Sequence, residues 1–187
     1  MKKEINITKA IIIDLHGYIN IPIIVRDKND IIEMVNITKL GRPNYFVRQD
    51  VVKLLHSLIA KYDINTIIYE QNRLFIDKIE IHPDPFILNN VLFGFGLQTS
   101  IEDNFYNNIQ YIFAIPNKDW QTTILNSSVK YSIDLYKSHI VKQILDRETL
   151  DIIDKYNYYK VLCLSESIMF QNLINVKYQI NKSKKGE

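Results

Sequence analysis

Three acidic residues stand where their surroundings give them chemical meaning. Asp14 closes the apolar run Ala10–Ile13, and Glu70 closes the β-rich run Asn65–Tyr69. Both fall at the carboxyl end of a predicted strand, the edge where open α/β sheets place their ligands. Glu166 shares a predicted helical stripe with Leu162 (i−4), Met169 (i+3) and Leu173 (i+7). A carboxylate in an apolar stripe is expensive unless water, a lysine or a metal ion compensates it. Singly, each acid is also explained as the start of a solvated loop or a helix-edge residue. Together, two strand-end carboxylates and one on a late helix form a set of hard oxygen donors. Such a set suits Mg²⁺, which binds oxygen and keeps several waters. Two such ions about 3.5–4 Å apart clamp the attacking water and leaving oxygen of an in-line displacement. The chemistry this predicts is metal-dependent phosphodiester hydrolysis, with Mn²⁺ as a substitute ion.

Other reactive residues form no comparable set. His16, His56, His82 and His139 are scattered. His56 lies in an amphipathic stretch and reads as a surface or packed side chain. His16, two residues after Asp14, is close enough to touch the site. No Gly-rich phosphate loop, HExxH or GxSxG is present. The twelve Tyr and eight Phe read mostly as core residues, with base stacking a minority use.

The elements that must position the acids follow from periodicity. Ala10–Ile13, Ile19–Val25 and Ile31–Ile37 read as three antiparallel strands, with a polar turn at Asp27–Asp30. Pro22 argues for an edge position or a bulge in the second strand. Gly41-Arg42-Pro43-Asn44 breaks the chain. Val47, Val51, Leu54, Leu55, Leu58 and Ile59 then recur at helical spacing, and that helix ends near Asp63. A strand at Asn65–Tyr69 follows, then an irregular Gln71–Pro85, a helix at Phe86–Thr99 and a strand at Ile109–Ile115 stopped by Pro116. Helices are predicted at Ser132–Leu145 and Lys160–Tyr178. The alternation after the first three strands implies an α/β mixed sheet with parallel pairs and helices on both faces. Residues 1–180 are expected to form one domain, with Asn181–Glu187 a loose polar tail.

Composition narrows the function classes. Lys plus Arg number 23 and Asp plus Glu 21 across 187 residues, which excludes a histone-like polycation but not a local basic groove. The one cysteine, Cys163, excludes an intramolecular disulfide framework and a cysteine-built zinc site, and it suits a reducing compartment. No run reaches the roughly 18 apolar residues of a membrane span, and no secretory signal is visible. An intracellular, cytoplasmic location is expected. Heavy use of Ile, Asn, Lys and Tyr suits an AT-rich genome, such as that of a virus, phage or parasite.

Four stretches carry a resemblance: Ala10–Gly17 (AIIIDLHG), Asn65–Arg73 (NTIIYEQNR), Tyr136–Asp146 (YKSHIVKQILD) and Leu162–Val176 (LCLSESIMFQNLINV). With the element order, they resemble the RNase H-like fold and, within it, the RuvC-type Holliday-junction resolvases, most closely their poxvirus and phage branch. The resemblance spans nearly the whole chain. It implies metal ligands at Asp14, Glu70 and Glu166. It also implies a phosphate-facing lysine at Lys137, with Lys130 and Lys142 as near alternatives. Two departures stand out. The family's last acid is usually Asp, and here it is Glu166. A second acid or a His three residues earlier is replaced by Cys163. Asp151 and Asp154 form a rival acidic pair on a more polar segment.

The resemblance implies a Mg²⁺-dependent endonuclease that binds branched DNA and cuts four-way junctions as a homodimer. Arg42, Arg48, Arg73, Lys182, Lys184 and Lys185 are the expected phosphate contacts. Phe86–Leu97 or part of Val47–Tyr62 is the expected dimer surface, with Gly94 and Gly96 admitting a close helix. A catalytically degenerate RNase H-fold protein that binds nucleic acid or a protein partner is the alternative, on the strength of Cys163. A 3′–5′ exonuclease of the same superfamily would need Asp-x-Glu on the first strand, where this chain has His16.

Overall fold

The computed structural model describes residues 7–15, 20–27, 30–71 and 85–116. Three strands come first: β1 (Lys9–Ile13), β2 (Asn20–Asp27) and β3 (Ile31–Thr38). They are followed by α1 (Asn44–Tyr62), β4 (Thr66–Glu70), α2 (Pro85–Phe105) and β5 (Tyr111–Ile115). The five strands form one sheet in the order β3-β2-β1-β4-β5. Strands β1, β2 and β3 pair antiparallel, while β1 with β4 and β4 with β5 pair parallel. This is the mixed sheet the alternation predicts, and its architecture is RNase H-like.

The continuous apolar runs of β1, β4 and β5 exist because both faces of the sheet are buried. Ile11, Ile13, Ile23, Ile67, Tyr69 and Ile112 face one core, into which α1 sends Val47, Val51, Leu55 and Leu58. Helix α2 adds Phe93, Leu97, Ile101 and Phe105, a stripe repeating every four residues. Ala10, Ile12, Ile24, Ile68 and Phe113 alternate with that set and are equally buried. Each fully buried Ile, Leu, Val or Phe among them contributes roughly 1.5–3 kcal/mol through the area it removes from water.

Helix α1 ends on Asp63, whose left-handed backbone (φ 54°) returns its N–H to the Ile59 carbonyl. Ile64 N–H reaches the same carbonyl at 3.3 Å. Gly41 takes a φ of +72° in the turn before α1, a conformation that favours glycine. Across the sheet edge, Glu33 of β3 accepts from Lys61 Nζ at 2.9 Å and from the Tyr62 hydroxyl. Both donors hold the Glu33 carboxyl below its ordinary range, the Tyr62 hydrogen bond most of all.

Two expectations are corrected. Pro22 does not mark an edge, because β2 lies between β1 and β3. It sits one residue past the last β1–β2 pair, Ile13 with Ile23, and its carbonyl accepts from Asp14 N–H at 3.2 Å. A strand residue's N–H and C=O point to the same side, so the missing donor faces the end of β1, where no ladder bond is required. The bulge lies instead at Val25/Arg26. Helix α2 also runs past Thr99 to Phe105. The polar residues that signal a stop return their side chains to the helix: Thr99 Oγ1 to Phe95 O (3.1 Å), Ser100 Oγ to Gly96 O (2.7 Å) and Asn104 Nδ2 to Ser100 O (2.7 Å).

The helices expected at Ser132–Leu145 and Lys160–Tyr178, and the tail Asn181–Glu187, lie outside the described residues. Among the described residues no helix is long and apolar enough to cross a membrane.

Candidate active site at the carboxyl edge of the sheet

Strand direction decides which residues meet. Because β3 is antiparallel to β2 and β2 to β1, the carboxyl ends of β1, β3, β4 and β5 all lie on one edge. Asp14 leaves β1 there, and Glu70 ends β4. The parallel register pairs Ile13 with Tyr69, so the next residues along, Asp14 and Glu70, are neighbours on adjacent strands. Their backbones are fixed on both sides: Asp14 N–H donates to Pro22 O, and Gln71 N–H donates to Ile115 O at 2.8 Å. Asp14 is 3% exposed and Glu70 6%.

Two further polar side chains are buried, each 6% exposed: Lys39, which follows β3, and Asn90 on α2. Lys39 Nζ donates to Asn90 Oδ1 and stands 4.0 Å from the centroid of the Phe93 ring. Burial pushes the Lys39 ammonium down to about 8, and the negative charge of Asp14 opposes that shift. Behind Glu70, the Tyr69 hydroxyl donates to Glu102 Oε1 at 2.5 Å, and Gln98 Nε2 donates to the same oxygen at 2.9 Å. Burial and the Glu102 carboxylate both push the Tyr69 phenol far up, so it stays protonated.

Of the four site residues expected from sequence, Asp14 and Glu70 are thus brought together. Glu166 and Lys137 lie outside the described residues, as do Cys163, Asp151, Asp154, Lys130, Lys142 and His16. Among the described residues no three His, Cys, Asp or Glu side chains converge. The two carboxylates still make a donor set suited to a hard divalent cation, since both are oxygen ligands on adjacent, backbone-fixed strand ends. Lys39 and Asn90 escaped the sequence reading. The available signal was strand direction, which puts the residue after β3 on the same edge as Asp14.

The expected phosphate contacts divide. Arg42 is paired with Asp50 and donates to Thr38 O at 3.3 Å. Arg48 packs its guanidinium over Gly96, the opening expected to admit another helix. It lines a groove of about 350 Å³ with Lys53 and Ser100. Arg73, Lys182, Lys184 and Lys185 lie outside the described residues. His56 is surface-packed, its ring centroid 4.4 Å from that of Phe105.

This sheet order is that of an RNase H-like fold. Comparison with solved structures narrows the fold. The Thermus thermophilus RuvC in complex with Holliday junction substrate superposes with a TM-score of 0.56 at 6% identity, over 88% of this chain and 95% of that one. A second Thermus thermophilus RuvC structure gives 0.52 at 8% identity, over 86% and 94%. The yeast mitochondrial Holliday junction resolvase Ydc2 gives 0.57 at 14% identity, over 89% and 80%. The chain therefore has a RuvC-like fold. No protein-family model matches it, and no curated protein matches it in sequence.

Proposed function

We propose that the chain is a metal-dependent endodeoxyribonuclease that resolves four-way DNA junctions by phosphodiester hydrolysis, and that it stands with the poxvirus and phage branch of the RuvC-type resolvases. The observation that carries this reading is the pair of buried carboxylates, Asp14 and Glu70, side by side at the carboxyl edge of a RuvC-like sheet. Asp14, Glu70 and Glu166 would hold Mg²⁺, or Mn²⁺ in its place. When bound, the metal supplies Lewis-acid charge and a more acidic water.

The chain's own residues do the rest. The Pro22 and Ile115 carbonyls anchor the backbone at Asp14 and Gln71, so the carboxylates need little reorganisation when substrate arrives. Their burial excludes bulk water from the acid pair. Lys137 is assigned to the scissile phosphate by the family resemblance. Arg48 and Lys53, on the groove over α1, are suited to backbone phosphates further along an arm. A four-way junction has near two-fold symmetry, so a C2 homodimer would present two sites to matched strands. Tyr45, Phe46 and Leu92, all more than half exposed, supply apolar surface for such an interface. Cys163, where an acid is expected, favours a second reading in which the chain grips DNA without cutting it.

The test is cleavage of a labelled four-way junction, beside a duplex of the same sequence, with Mg²⁺ or Mn²⁺. Symmetric cuts in the junction alone establish the resolvase. Tight junction binding with no cut under either metal establishes the second reading, and Cys163→Asp is then the rescue to try.

A further inference from the structure

Tyr45, Arg48, Gln49 and Lys53 share one stripe of α1 at helical spacing, and with Ser100 of α2 they line the groove of about 350 Å³. Ile13 and Tyr69 face the core that α1 and α2 cover, so strand alternation turns Asp14 and Glu70 to the other face of the sheet. The groove is therefore a surface apart from the acid pair. Its cations are not spent on the fold. Arg42 and Lys61 pair with Asp50 and Glu33, whereas Arg48 and Lys53 form no ion pair among the described residues. Among those residues no carboxylate lines the groove either. Arg48 also has a place made for it: a Cβ at Gly96 would run into its guanidinium, so only glycine lets that charge rest against α2. The Tyr45 ring is a fixed plate. It is 58% exposed, its hydroxyl accepts from Gln49 Nε2 at 2.6 Å, and it meets the Phe46 ring edge-on with centroids 5.6 Å apart. An aromatic plate in line with unpaired cations is how single-stranded nucleic acid is held, with a base on the ring and phosphates on the charges. A duplex cannot use the plate, because its bases are already stacked on one another. A groove of this volume also has room for a nucleotide rather than a double helix.

We propose that the groove between α1 and α2 is a subsite for single-stranded DNA, with a base stacked on Tyr45, backbone phosphates on Arg48 and Lys53, and Gly96 positioning Arg48. This rests on the reading of the chain as a branched-DNA protein and adds the kind of strand: an unpaired segment of an arm. Helix α1 begins a short connection after Thr38, at the carboxyl edge, and runs back across the sheet toward the start of β4. Tyr45 thus stands nearer the acid edge than Lys53, and a strand lying from Tyr45 to Lys53 leads away from the cut. The contacts are stacking and charge, without base-edge hydrogen bonds, so the subsite tolerates any sequence.

The test uses the full chain without divalent metal and reads fluorescence anisotropy on a labelled oligothymidylate and on a blunt duplex of equal length. Tyr45→Leu, which keeps apolar surface for the dimer, should weaken oligothymidylate binding about tenfold or more and duplex binding less than about twofold. Arg48→Ala should weaken oligothymidylate binding and lower its log–log salt slope by about 0.7. Gly96→Ala keeps every charge and moves only the guanidinium, so its loss should approach that of Arg48→Ala. Equal losses on the two probes in Tyr45→Leu, or a loss within about twofold on oligothymidylate, overturn the proposal and leave the resolvase standing. Unchanged oligothymidylate affinity in both Arg48→Ala and Gly96→Ala overturns it as well. So does displacement of oligothymidylate by polyglutamate of the same length at equal concentration, which marks a site for acidic protein segments. A wild type that binds neither probe and no four-way junction overturns the DNA reading and this proposal with it.

Discussion

The Tyr69 hydroxyl donates to Glu102 Oε1 at 2.5 Å, joining the residue before Glu70 to the far part of α2. Both ends are held by packing: Tyr69 is fully buried, and Gln98 shares the same carboxylate oxygen. Tyr69→Phe keeps the ring and removes the donor. It should cost about 1–2 kcal/mol, read in urea as a lower midpoint with an unchanged slope.

Asp14→Asn and Glu70→Gln preserve shape and remove the charge of a proposed metal ligand. Junction cleavage should fall by orders of magnitude in either. Junction affinity should hold or rise, because an anion near the phosphates is gone. The metal provides a second readout: Mn²⁺ should raise the melting temperature of wild type and leave Asp14→Asn nearly unmoved, since a ligand that binds the folded state stabilises it.

Lys39 sets a pH dependence in the metal-free protein. Its folded value is lowered to about 8 from the ordinary 10.5. Between those values the unfolded chain still holds a proton that the folded chain has released, so stability rises with pH across that window. Below about 8 both states are charged and the cost of burying the ammonium is constant. Melting temperatures from pH 7 to 10.5 should show this rise in wild type and not in Lys39→Met.

Gly96 and Arg48 should behave as a coupled pair. A Cβ at Gly96 would run into the Arg48 guanidinium, the mobile end of a long side chain. Gly96→Ala gains helix propensity and displaces Arg48, so its net effect should be small. In an Arg48→Ala background the same change should stabilise by about 1 kcal/mol. A double-mutant cycle by chemical denaturation measures the difference.

The proposed dimer has its own variant. Phe46→Glu with Leu92→Glu alters two side chains that are each 55% exposed, so the fold should tolerate it within about 0.5 kcal/mol. Light scattering at micromolar concentration should report a dimer for wild type and a monomer for the double variant. A monomeric wild type would count against paired cutting.

Most of the sheet was legible because burial on both faces writes itself as unbroken apolar runs, and Asp14 and Glu70 stand out as the acids that end them. Three features were not legible, each because a distant partner decides it. Pro22 reads as an edge or bulge residue until Asp14 is seen to take its carbonyl. The polar run after Leu97 reads as a helix end until its side chains fold back on carbonyls four residues earlier. Lys39 carries no signal of burial in the sequence, because its partner Asn90 lies 51 positions later.

The central position of β1 also has a kinetic meaning. On one side it pairs with β2 through a short connection; on the other it pairs with β4 only after the chain has passed through α1. Local pairings close quickly, and distant ones wait on the entropy of a long loop. The β1–β2–β3 meander can therefore form with Asp14 already in place while Glu70 is still far away. The acid pair is completed by one of the later closures, so a chain caught halfway through folding carries a single carboxylate at this edge.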